Sequence, residues 1–274
     1  MRFKLYLRPV RDRQKLLFNY QYPLQAWLYA KLAEADADYA TFLHGRGYSV
    51  PNSRKTFKHF TFSSLHIPKA EPVPKGQTYM QIRSETISLL ISFYVDKAAE
   101  DFVMGLFKEQ QLSIYNRDHR ADFVVERVEA VPPPLIETSM VFRTISPLVV
   151  ARKTNSHDQY LNPAVDADFG RFFAVNLIDK FRSIQPTFEM DADTAARLVK
   201  FELLSDPDRI KKRGFLAKET KTEETTKVIG YHNFTFALTA PTDLIEVGYW
   251  GGFGKFCAMG CGCVDVATNK TSTP

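Results

Sequence analysis

Apolar and polar residues alternate from the very start of the chain. Over 2–8, Phe3, Leu5 and Leu7 share one face, the period of a half-buried strand. Pro23 then opens a helical stretch, at the first turn where proline is tolerated, with Leu24, Trp27, Leu28 and Leu32 at helical spacing. A second short helix over 38–43 stops at Gly45 and Gly47. Residues 57–67 predict a strand with Phe60 and Phe62 alternating, and 87–95 a nearly continuous apolar strand. An amphipathic helix over 98–110 follows through Phe102, Val103, Leu106 and Phe107, and 122–131 return to strand. That order is β-α-β-β-α-β, the ferredoxin-like arrangement. Pro132, Pro133 and Pro134 then force extended backbone and mark a linker.

After the prolines the order starts over. Residues 140–150 predict a strand and 165–184 a helix, while 195–204 and 226–238 predict two strands. A short helix over 242–250 and a closing strand over 261–266 complete the second set. Residues 205–225 read as an inserted basic hairpin or loop. The two halves share no visible identity, so the repeat rests on element order alone. The prediction is an α+β protein of two tandem ferredoxin-like domains, 1–131 and 135–274, the second carrying a glycine-rich loop.

Composition narrows the class. A chain of 274 residues buries enough surface to fold without disulfides or a structural metal. Its 22 Phe and 12 Tyr exclude disorder as the main state. No apolar run approaches the about 20 residues of a membrane span, and the first residues lack a signal-peptide core. Lys+Arg 36 against Asp+Glu 31 is a modest excess, but it clusters. From His44 to Lys69 the chain holds Arg46, Arg54, Lys55, Lys58 and Lys69 and no acidic residue. A second run has Arg209, Lys211, Lys212 and Arg213, with Lys218 and Lys221 following. Clustered positive charge is the footprint of a nucleic-acid partner, the plain alternative being a solvated surface.

Residues 251–264 carry the sharpest local signal, glycine pairs separated by five residues between a short helix and a strand. Gly252, Gly254, Gly260 and Gly262 permit positive φ and let backbone amides approach phosphate oxygens. The spacing matches neither a dinucleotide fingerprint nor a P-loop. The competing reading is a tight turn packed against a helix. Cys257, Cys261 and Cys263 lie in the same segment; their odd number points to a reducing cytoplasm, and their spacing fits small apolar fillers better than zinc.

This segment resembles the C-terminal glycine-rich loop of the RAMP proteins of CRISPR systems. Residues 42–48, reading Phe-Leu-His-Gly-Arg-Gly-Tyr, and 58–65 resemble a signature of the CRISPR repeat-RNA processing endoribonucleases. So do Thr144 to Leu148, Tyr160 to Pro163, and Asn176 with Leu177 and Lys180. Together these blocks cover most of the chain in the family's order. The resemblance implies two ferredoxin-like domains and cleavage of repeat RNA without metal or other cofactor. In that reaction the ribose 2′-OH attacks the neighbouring phosphate, leaving a 2′,3′-cyclic phosphate and a 5′-OH. It also implies CRISPR effector-complex subunits as further partners, a cytoplasmic location, and a monomer or homodimer.

The reaction asks for a base near neutral pH, an acid for the leaving oxygen and a cation for the phosphorane. Histidine suits the first two tasks. No acidic cluster in the sequence suggests two-metal catalysis. His44 matches the family's histidine before the glycine pair; otherwise it merely caps a helix. Tyr29 matches a position where some members carry a catalytic tyrosine. Lys55 and Lys58 are the cation candidates. Arg46, Arg54, Lys211, Lys212, Arg213, Gly252, Gly254, Lys255, Gly260 and Gly262 are the expected RNA contacts. His59 and His66 are expected to face away from the core, towards RNA, while His119, His157 and His232 have no chemical company in sequence. Two competing functions remain: a RAMP subunit that holds RNA without cutting it, and a protein whose glycine loop binds a mononucleotide.

Overall fold

The structure is a computed structural model that describes residues 1–71, 73–154, 157–188, 190–216 and 227–267. In the first half, helix α1 (Gln21–Ala35) follows the strand Arg2–Pro9, and α2 (Ala37–Gly45) follows α1 directly. Helix α3 (Asp96–Lys108) links the strand Ile87–Phe93 to the hairpin Gln111–Tyr115 and Arg120–Ala130. The sheet runs Phe60–Phe62, Ile87–Phe93, Arg2–Pro9, Arg120–Ala130, Gln111–Tyr115, every pairing antiparallel. Without its outermost strand this is the 2-3-1-4 order of a ferredoxin-like fold. Leu5, Leu7, Leu89, Ile91 and Phe93 bury against Leu24, Leu28 and Phe102 of the covering helices. Each such side chain contributes about 1.5–3 kcal/mol.

The second half repeats the scheme. The strand Ser139–Thr144 is followed by α4 (Phe169–Arg182), then α5 (Ala192–Leu198), the strands Lys200–Leu203 and Thr235–Thr239, α6 (Thr242–Gly251) and the strand Val264–Val266. Sheet order is Lys200–Leu203, Thr235–Thr239, Ser139–Thr144, Val264–Val266, again 2-3-1-4 and antiparallel. Phe142, Phe169, Phe173, Phe236 and Phe253 form its core. The chain therefore consists of two ferredoxin-like folds.

Several boundaries depart from the sequence pattern. The strand expected over 57–67 breaks into Thr56–Phe57 and Phe60–Phe62, because His59 sits in the left-handed region at φ 54°. The strand expected over 195–204 begins as helix α5, since Asp191 caps it by accepting from the Asp193 and Thr194 amides ahead of an alanine-rich run. The one expected over 226–238 is two strands, divided where Asn233 turns at φ 66°. Lys227–His232 leaves the main sheet and pairs with Lys211–Leu216, so the basic insertion is a hairpin. Lys218 and Lys221 lie outside the described residues. Lys15–Leu17, Tyr79–Ile82 and Ala70–Glu71 form a small extra sheet too short to give a periodic signal.

Directional contacts join the two folds. The Arg2 guanidinium stacks 3.6 Å from the Tyr249 ring centroid and donates to Tyr249 O at 2.7 Å. Ser92 Oγ donates to Trp250 O at 2.7 Å, and Thr61 Oγ1 to Cys261 O at 2.8 Å. The glycine-rich segment thus leans on the strand Phe60–Phe62 of the first fold. A Cβ on Gly260, at φ 75°, would lie 2.2 Å from Cε2 of the buried Phe62 ring.

Candidate nucleic-acid interface

Helix α2 starts at Asp36, whose carboxylate accepts from the Tyr39 amide at 2.8 Å. It ends where the Arg46 and Gly47 amides both reach Phe42 O, at 2.9 and 2.8 Å. Gly47 has φ 64°, and a Cβ there would lie 2.6 Å from Phe57 O and 2.8 Å from the Lys58 side chain. This glycine lets the 57–58 segment close over the helix end. His44, in the last turn, is exposed.

The His44 ring meets Tyr29 of α1 edge-on, with centroids 4.9 Å apart, and Tyr29 meets Phe60 in the same way at 5.7 Å. Burial pushes the Tyr29 hydroxyl well above the usual phenol range, so it keeps its proton. Lys58 Nζ donates to His44 O at 3.0 Å, and partial burial lowers its pKa. The structure therefore brings Tyr29, His44 and Lys58 together. Lys55 points elsewhere: its ammonium lies 2.5 Å from Asp179 of α4, in an ion pair with 56% and 11% of the two side chains exposed.

Beside this cluster an open cleft of about 890 Å³ runs between the two folds. Lys55 and Lys58 line it from the first fold, and Lys153, Lys180 and Lys255 from the second. Asp158 is the acidic lining residue; it accepts from Lys255 Nζ at 2.9 Å. Lys58 belongs to both features: it lines the cleft and its ammonium holds the backbone carbonyl of His44.

The other sequence candidates divide. Arg46 and Arg54 are exposed and make no ion pair among the described residues. Gly254 and Lys255 line the cleft. The amide array expected at Gly260 and Gly262 is corrected: both residues are buried, and their amides bond to Cys257 O at 2.9 Å and Pro147 O at 2.8 Å. Positive φ there folds the segment onto itself. Gly252, also buried, accepts from Lys180 Nζ through its carbonyl. Lys211 and Lys212 are exposed on the hairpin away from the cleft lining, and Arg213 is a strut whose guanidinium donates to Phe18 O at 3.2 Å.

The histidines also depart from expectation. His59 does not face away from the core; its left-handed turn drives the ring into the joint between the folds, where it is 2% exposed. Burial, helped by the Lys180 charge, lowers its pKa to about 3. His157, set aside from the sequence, lines the cleft. His66 is exposed, and His119 packs against Tyr79 at 4.5 Å. Sequence reasoning missed Asn176 and Lys180 as lining residues. Their i, i+4 spacing on one helix was the available signal, since it puts both on one face. Cys261 and Cys263 are buried and Cys257 is half-buried, all as free thiols. Among the described residues no group of three or more His, Cys, Asp and Glu gathers as a metal site, and no helix is long and apolar enough to cross a membrane.

The two ferredoxin-like folds thus meet around a lysine-lined cleft, and Tyr29, His44 and Lys58 touch one another beside it. Two family models match in tandem, "CRISPR-associated protein Cas6, N-terminal" over residues 15–129 and "CRISPR associated protein Cas6, C-terminal" over 130–266. The chain belongs to the Cas6 family. It is 27% identical to the CRISPR-associated endoribonuclease Cas6 of Pyrococcus furiosus, over 99% of this chain and 92% of that one. It is 28% identical to the CRISPR-associated endoribonuclease Cas6 1 of Methanocaldococcus jannaschii, over 90% and 85%. Among solved structures, a Cas6-related protein of Pyrococcus furiosus superimposes with a TM-score of 0.79 at 22% identity, covering 98% of this chain and 99% of that chain. A structure described as "An RAMP protein binding different RNA substrates" gives 0.76 at 21%, covering 97% and 99%. These relatives make the chain kin to endoribonucleases associated with CRISPR systems.

Proposed function

We infer that the chain is a metal-independent endoribonuclease that cuts CRISPR repeat transcripts into guide RNAs. The observation that carries this reading is exposed His44, with its ring against Tyr29 and its carbonyl held by Lys58, a lysine that also lines the cleft. RNA backbone lies along the lysines, so binding is salt-sensitive. His44 takes the proton of the 2′-OH as its oxygen attacks phosphorus. The bond from phosphorus to the 5′-oxygen breaks, leaving a 2′,3′-cyclic phosphate. Lys58 stabilises the phosphorane, and its lowered pKa suits it to pass a proton to the departing 5′-oxygen. Tyr29 holds the imidazole edge-on and retains its own proton.

The test is the purified protein with RNA from the repeat array of its source genome, in EDTA. Cyclic-phosphate and 5′-OH ends are expected. His44→Ala is expected to slow cleavage by about 10²-fold or more while affinity changes little. RNA left intact by the wild-type chain, though tightly bound, sinks this reading in favour of a RAMP subunit that only holds RNA. That second reading has no need of an exposed imidazole at position 44.

A further inference from the structure

The floor of the cleft carries hydrogen-bonding capacity that its lysines do not use. Ser183 Oγ donates its proton to Lys180 O at 2.7 Å, so its lone pairs face the His59 ring. His59 Nε2, 2.7 Å from the same oxygen, must therefore be the N–H that donates to it. This fixes the tautomer and leaves Nδ1 as a bare acceptor. Nδ1 is buried and meets no donor among the described residues. Asn176 Oδ1 is a second buried acceptor without a donor among the described residues, and both residues line the cleft. Phe57, Phe172 and Phe256 line it too. A lining that combines two acceptors, three phenylalanines and five lysines matches a flat, donor-bearing group attached to a polyanion.

We propose that the cleft floor receives one unpaired base of the RNA and selects a base with an exocyclic amino group (adenine, cytosine or guanine) over uracil. This rests on the reading of the cleft as the RNA path. An amino group offers two N–H donors to the acceptors. Uracil offers one, flanked by two carbonyl oxygens that would face lone pairs. Stacking on the phenylalanines is indifferent to base identity and supplies affinity without choice. The discrimination lies with His59, because its tautomer is held by Ser183.

The experiment measures binding of uridine decamers with a single A, C or G at the centre against the all-uridine decamer. The full chain carries His44→Ala so that the RNA stays whole. One amino-bearing base is expected to tighten binding about tenfold, the worth of one hydrogen bond to a buried acceptor. Ser183→Ala frees the His59 tautomer and is expected to cut that preference to within about threefold, with Asn176→Ala lowering it as well. Equal affinity for all decamers overturns the proposal. So does a preference that survives both Ser183→Ala and Asn176→Ala, because the base is then read elsewhere. The cleavage reading is judged separately, on repeat RNA with the wild-type chain: cyclic-phosphate ends without base preference sink the pocket alone, and base preference without cleavage sinks the nuclease alone.

Discussion

Gly260→Ala separates two roles for the glycine-rich segment, the packing role seen in the structure and the phosphate-binding role its sequence invites. The added Cβ lies 2.2 Å from Phe62 Cε2 and 2.7 Å from Cζ, and Phe62 is 1% exposed, so the ring has no open side to swing into. At φ 75° an L-residue also sits in the left-handed region, at a cost of about 1–2 kcal/mol. Overpacking a fixed ring adds roughly 1–3 kcal/mol. The sum, about 2–5 kcal/mol, corresponds to a melting temperature lower by roughly 4–20 °C for a chain of this size. Thermal unfolding followed by circular dichroism reads it. Phe62→Leu trims the offending ring edge, so the Gly260→Ala, Phe62→Leu double variant should lose less than the two singles combined, by about 1 kcal/mol or more. RNA affinity of the folded Gly260→Ala fraction should match wild type, since its amide already bonds to Cys257 O. A fall of less than about 2 °C, or additive singles, would refute the packing argument; lost RNA binding at full stability would restore the amide to the interface.

Lys58→Ala should slow cleavage about 10-fold or more through loss of a charged partner to the phosphorane, whereas Lys55→Ala, whose half-exposed pair with Asp179 is worth at most about 1 kcal/mol, should change rate and stability little. Because burial lowers the Lys58 pKa, its proton is lost at a lower pH than an ordinary lysine's; the alkaline limb of kcat should therefore fall below the ordinary lysine range, and Lys58→Arg should move it upward. An unshifted limb removes Lys58 from proton transfer. His59 titrates at about 3 in the fold and near 6.5 unfolded, so below pH 6.5 the unfolded chain binds the extra proton and stability falls as pH drops towards 3. Between pH 7 and 4.5 this group alone should remove about 2–3 kcal/mol, read from urea midpoints, and His59→Gln should abolish that share. Identical pH slopes for the two proteins would deny His59 its buried, neutral state.

How far the sequence disclosed this depended on the range of the forces involved. Strand Arg2–Pro9 and helices α1, α3, α4 and α6 were legible because one face of each is buried by neighbours, and burial writes a period of two or 3.6. Helix α5 was misread because Ala195 is its one buried residue, so the cap and helix propensity decide it and no apolar stripe betrays it. The break at His59 was invisible, since a left-handed histidine looks like any other until Tyr48, Phe57 and Tyr94 close around it. Tyr29, His44 and Lys58 were named from motif order. Their meeting was not legible, because the Lys58 contact depends on Gly47 admitting the 57–58 segment over the end of α2. The glycine-rich segment shows the opposite failure: four glycines mark backbone freedom, and the same freedom serves a ligand or a neighbouring ring. Only the position of Phe62 decides between them.

The joint between the folds has a chemical consequence. His44, Tyr29 and Lys58 belong to the first fold, while Lys153, Lys180 and Lys255 belong to the second. Neither half alone forms the groove, so its geometry depends on whatever fixes one fold against the other. That contact is built from directional bonds, Arg2 to Tyr249 O, Thr61 to Cys261 O and His59 to Ser183, and from ring-to-glycine packing at Phe62. Directional contacts set an angle, whereas apolar burial alone tolerates sliding. Under the proposed mechanism, a phosphate that meets His44 and the lysines of the other fold needs that angle held to within a fraction of an ångström. On that mechanism the glycines act indirectly, through the close approach of the two folds that Gly260 permits at Phe62.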